Sequence, residues 1–246
     1  MKYLSALSPA ETLLVLRDKN ASIKEILKVT FMDLLLKQVL RTFEAQGQPS
    51  KKDAVGIYKY VEAGKNFVTY KPLQHENIFL APFKKSASVQ ILFRNMVKMG
   101  YQNAKSQYNI HNMLRRSPNL DRCFSRSIIQ SLTGGFSLTE DGKKLRKQLE
   151  NERAQLETQL PPLIVNDHQK ALDILKVIKG NIFLLSNIEL DSLKQIDKEL
   201  LAEMNKRDYH NDDDSFLDSF DFYSDSFDSG CGGGSGCSGC SGCGGD

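Results

Sequence analysis

The sequence predicts a mainly α-helical fold with small β-hairpin wings, further C-terminal helices and a disordered tail. Three observations lead there. Two Ser-x-x-Glu patterns fall within the first 25 residues, each the signature of a capped helix start. Short runs rich in Tyr, Val and Phe flank a Gly-containing turn at 62–66, the pattern of a hairpin. From Asp208 onward the composition shifts to Asp, Ser, Gly and Cys, with too little apolar mass to offset the entropy of ordering. The chain has 246 residues, 40% of them hydrophobic, which suffices for a sizeable core.

Ser8-Pro9-Ala10-Glu11 supplies an N-cap, a first-turn proline and a glutamate that bonds back to the cap. Residues 12–16 complete this helix, and Asp18-Lys19-Asn20 end it. Ser22-Ile23-Lys24-Glu25 opens a second helix that runs to about Val29. A third is expected over 31–43, apolar around most of its circumference and therefore buried. The hairpin pairs 56–61 with 67–71.

The second half repeats the plan. A helix from Ser86 or Ser88 carries Val89, Leu92, Phe93, Met96 and Val97 on one face. Another is expected over 103–116, broken by Ser117-Pro118, and a third over 119–132, ended by Gly134-Gly135. A longer helix over 143–159 should stop at Pro161-Pro162, and amphipathic helices follow over 168–179 and 190–204. Leu138, Leu145, Leu149, Leu156 and Leu160 form a narrow seam for one partner helix. That seam serves either a homodimer or the chain's own fold. The expected organisation is a first module over 1–75, a second with a basic face over 76–160, accessory helices over 161–207 and the tail over 208–246.

Short helices followed by a hairpin give the element order of a winged helix, and residues 5–71 resemble such a module. Leu138-Thr139-x-x-Gly142-x-x-Leu145 resembles the passage from wing to helix in the same family, which makes the plan a tandem. The opening Ser8-Pro9-Ala10-Glu11-Thr12-Leu13-Leu14 is also similar to the first helix of the Golgi phosphoprotein family and its bacterial relatives. Members of that family are helical adaptors that bind anionic lipid head groups. This chain has no Trp and no lipid-pocket motif to carry over, so the resemblance implies architecture alone.

Charge is unevenly placed. The tail from Asp208 holds nine Asp and no Lys, Arg or Glu, so residues 1–207 carry all 33 basic and the other 21 acidic residues, a net +12. Between Asn77 and Leu120 there is no acidic residue. A field of this sign attracts phosphates and acidic partners. The candidate binding residues are Lys84, Lys85, Arg94, Lys98, Arg115, Arg116, Arg122, Arg126 and Gln130. They suit an anionic membrane surface or an acidic protein, as a non-catalytic adaptor would use them. The alternative partner is DNA: Arg122, Arg126 and Gln130 stand at i, i+4 and i+8 of the helix expected over 119–132. Arg and Gln are the types that make bidentate contacts to guanine and adenine.

No chemistry of an enzyme is legible, and no small-molecule substrate is identified. His75, His111, His168 and His210 form no H-E-x-x-H, and there is no G-x-S-x-G, P-loop or strand-linked G-x-G-x-x-G. Cys123 beside Phe124 reads as a core thiol rather than a nucleophile for His111. Cys231, Cys237, Cys240 and Cys243 are candidate thiolate ligands for zinc or an iron–sulfur cluster, or sites of covalent modification. No apolar run reaches the roughly 18 residues of a membrane span, and the first residues lack a signal-peptide pattern. A cytoplasmic protein, peripheral to the membrane, is the expectation.

Overall fold

The computed structural model describes residues 1–125 and 136–186. These form a mainly helical body with one small three-stranded antiparallel sheet. Both N-terminal capping boxes form as the sequence predicts. In α1 (Pro9–Arg17) the Ser8 side chain accepts from the Glu11 N–H, and Glu11 accepts from the Ser8 N–H at 2.7 Å. In α2 (Ile23–Leu36) Ser22 and Glu25 make the same reciprocal pair. Glu11 is itself buried and also receives the Ser117 hydroxyl and the Asn119 amide, which ties α1 to the segment after α5 (Gln107–Arg115).

The expected third helix over 31–43 does not exist. Residues 31–36 complete α2, and 40–47 are the first strand, β1 (Leu40–Gly47). No break occurs near Val29, because Thr30 satisfies its hydroxyl on the Ile26 carbonyl and every residue from Val29 to Leu36 is buried. The break comes at Gln38, whose φ of 53° lies in the left-handed region and turns the chain out of the helix. The hairpin moves accordingly. Its strands are β1 and β2 (Gly56–Ala63), in register from Leu40 against Ala63 to Gly47 against Gly56. Phe43, expected on a helix, stacks on Tyr60 across the strands, with ring centroids 5.5 Å apart. Residues 67–69, expected as strand, are turn, and Phe67 packs edge-on against Phe83.

The helix expected from Ser86 or Ser88 also starts later. A helix not anticipated, α3 (Asn77–Lys85), comes first, and Ile91–Leu92 then forms β3 against Tyr60 and Val61. Only at Phe93 does α4 (Phe93–Ala104) begin. Lys105, at φ 64°, separates it from α5, which Ser106 caps. Pro82 lies inside α3 and cannot donate to the carbonyl four residues back. That carbonyl, on Ile78, accepts instead from the Asn103 side chain of α4 at 2.9 Å. Opposite, Gly100 passes so close to the Phe79 ring that a Cβ would sit 2.6 Å from Cε1.

The long helix α6 (Glu140–Asn166) runs through Pro161-Pro162 rather than stopping there. Leu156, Leu160 and Ile164 continue one buried stripe across the prolines, and that packing outweighs the lost backbone bonds. The seam leucines Leu149, Leu156 and Leu160 are buried by the chain itself, with α6 packed on α1 and α7 (His168–Ile178). The short 3-10 stretch Lys179–Leu184 returns to α1 and α2. There the Asn181 amide donates to the carbonyls of Leu4 and Leu7. The buried apolar residues from Leu4 to Ile178 make one contiguous cluster. The helix expected over 190–204 and the tail lie outside the described residues.

Candidate functional site

The segment without acidic residues folds into α3, β3, α4 and α5. Phe93, Met96, Val97, Gly100 and Ala104 turn one side of α4 inward, which leaves Lys98 exposed on the other. Lys84 and Lys85 close α3 and are exposed, with the Lys84 ammonium on the Asn77 amide oxygen. Lysines in a last helical turn complement the helix dipole, which accounts for Lys84 and Lys85 without a partner. Lys98, in mid-helix, has no such role. Lys85, Lys98, Lys105 and Arg116 are exposed, and none pairs with a carboxylate among the described residues.

The remaining candidates divide. Arg94 is already engaged: its two terminal nitrogens bond the Asp53 carboxylate at 2.8 and 2.5 Å, and its guanidinium lies 5.9 Å from the Tyr58 ring centroid. The Arg94 and Ser50 bonds pull the Asp53 carboxyl down to about 2. Arg115 is half-buried with its guanidinium 4.8 Å above the Phe136 ring. Arg122 does not stand on a helix. The chain makes a single 3-10 turn at Pro118–Leu120, then Arg122 takes φ 68° with 85% of its side chain exposed. The Thr139 hydroxyl bonds the Arg122 carbonyl, and Phe124 bridges Leu138. These cross-links hold 122–124 out of helical geometry, so a helical stripe with Arg126 and Gln130 lacks its first member. Arg126 and Gln130 lie outside the described residues, as do Cys231, Cys237, Cys240 and Cys243. Two exposed lysines that the sequence reading passed over, Lys51 and Lys52, stand in the loop joining β1 to β2. Their adjacency was the only signal for them.

A buried ionic cluster anchors the start of α3. The Lys37 ammonium lies 2.5 Å from Asp33, 3.1 Å from the Tyr70 hydroxyl and 3.6 Å from Glu76. Tyr70 donates to Glu76 at 2.7 Å, and the other Glu76 oxygen accepts the Leu73 N–H at 2.6 Å. Two buried carboxylates thus share one cation. Burial pushes Asp33, Glu76 and the Tyr70 phenol up, only partly offset by Lys37. Burial acts against the Lys37 charge, but Asp33, Tyr70 and Glu76 outweigh it and hold the lysine protonated. His75 beside them is pushed down to about 3, first by burial and then by Lys37. Gly180 closes the cluster, because a Cβ there would collide with the Asp33 carboxylate.

The nucleophile pairing weighed from sequence does not assemble. His111 spends Nε2 on the Ala21 carbonyl at 2.7 Å and packs against Phe136. Cys123 is a buried thiol, as expected, and burial raises its pKa. Among the described residues no three His, Cys, Asp or Glu side chains gather as metal ligands, and no helix is long and apolar enough to cross a membrane. No family model, curated protein or solved structure matches the chain.

Proposed function

We propose that the chain is a non-catalytic adaptor that docks peripherally on an anionic membrane surface through the basic face of α3, α4 and α5. The observation that carries this is Lys85, Lys98, Lys105 and Arg116, exposed without carboxylate partners on a segment with no acidic residue of its own. Each Lys or Arg near an anionic bilayer contributes about 1 kcal/mol, so a handful that reaches the surface together gives useful affinity without a pocket. In this reading the first 75 residues, with two capped helices and a hairpin in place of the three helices and hairpin of a winged helix, serve as the frame.

The test is co-sedimentation of the full chain with vesicles of phosphatidylcholine alone or mixed with phosphatidylserine, with random duplex DNA as comparator. Binding to the mixed vesicles and not to the neutral ones is expected. Equal sedimentation with both, or DNA bound more tightly than anionic lipid, would overturn the reading.

A further inference from the structure

We infer that the tip of the β1–β2 hairpin is a membrane-insertion element that seats Val55 and Ile57 among the acyl chains of an anionic bilayer. This rests on the membrane reading above and adds the part of the molecule that enters the lipid. Val55 and Ile57 are each 71% exposed, two residues apart at the start of β2. The tip that carries them is braced. Asp53 donates its N–H to the Ser50 carbonyl at 3.0 Å, the Gln48 amide bonds the Asp53 carbonyl at 2.8 Å, and the Tyr58 hydroxyl bonds the Ala54 carbonyl at 2.5 Å. The Arg94 clamp on Asp53 fixes the loop from outside. A braced loop loses little freedom on docking, so apolar burial there is not spent on ordering.

Charge selects the occupant. Lys51 and Lys52 precede the aliphatic pair in the same loop, and the one acid of the loop, Asp53, is matched by Arg94. Arg94 and Lys98 are four residues apart on α4, so the clamp sets the tip beside the basic face. Two aliphatics on a narrow loop fall well short of the roughly 800 Å² per side of a specific protein interface. Exposed aliphatic side chains on a loop that also bears lysines are what an anionic interface accepts.

The native chain has no Trp, so Ile57→Trp in the full chain is a single reporter without background. With phosphatidylserine-containing vesicles its emission should shift to the blue and be quenched by lipids brominated on the acyl chain. Val55→Ser/Ile57→Ser should weaken vesicle binding about a hundredfold, roughly tenfold for each side chain, with an unchanged thermal melt. Sedimentation with vesicles but no blue shift would overturn the insertion and leave the membrane reading standing. Failure to sediment at all would overturn both. A blue shift that grows with protein concentration in the absence of vesicles would overturn it in favour of a second copy of the chain.

Discussion

His75 is buried at 2% exposure within reach of the Lys37 charge, and its imidazole stays neutral down to about pH 3. An unfolded histidine takes up its proton near 6.5. Between those values the unfolded chain binds more protons than the folded one, so this residue's contribution to stability falls as pH drops. Asp33 and Glu76 act in the opposite sense, because their raised values make the folded chain the better proton acceptor. The difference between the native chain and His75→Leu isolates the histidine. From pH 6.5 to pH 3 the native chain should lose roughly 4 kcal/mol more unfolding free energy than the variant, as measured by urea denaturation across pH. The cation at the centre gives a second prediction. Lys37→Met leaves two carboxylates buried without a counter-charge and should cost about 3 to 5 kcal/mol. Adding Asp33→Asn and Glu76→Gln to that variant should restore most of it. The sequence did not make this cluster legible, since Asp33 lies on α2 and Lys37 caps its end while Tyr70 and Glu76 arrive from an irregular segment.

Elements with local punctuation were legible in advance. Ser8/Glu11 and Ser22/Glu25 cap α1 and α2 as read, and the charged break at Asp18 ends the first helix. Elements decided by packing were not. Val39, Leu40 and Phe43 keep a helix-compatible spacing after α2, and the left-handed turn falls on Gln38, with no Gly or Pro to mark it. Prolines do not end the helices they stand in. Pro161-Pro162 sits within a helix that tertiary burial sustains, and Pro82 sits within one that Asn103 repairs from α4. The repair is testable by a double-mutant cycle. Asn103→Ala should cost about 1 to 3 kcal/mol by stranding the Ile78 carbonyl. In a Pro82→Ala background the new N–H takes over that carbonyl, and the cost should largely vanish. The hairpin tip gives a different signature, because its clamp is exposed. Arg94→Ala should leave the global melting temperature nearly unchanged and speed amide hydrogen exchange within residues 48–55.

For the whole molecule, charge placement was legible and its geometry was not. The sequence located the stretch between Asn77 and Leu120 that lacks acids. It did not reveal that Arg94 is bound to Asp53, that Arg115 lies on Phe136, or that Arg122 leaves the helix. Of the candidate cations in that stretch, Lys85, Lys98 and Arg116 remain exposed without a carboxylate partner among the described residues, as does Lys105, and Arg94 joins α4 to the hairpin tip that bears Lys51 and Lys52. In the function we propose, this acid-free segment does the docking, and its action is electrostatic and screened by salt. The most direct measurement is the partition of the full chain onto phosphatidylserine-containing vesicles between about 50 and about 300 mM salt. The comparison is with a variant carrying Lys85→Ala, Lys98→Ala, Lys105→Ala and Arg116→Ala. The account predicts steeply salt-dependent binding for the native chain and a loss of about a hundredfold or more, with a flattened salt dependence, for the variant. Equal affinity of the two at low salt would contradict it.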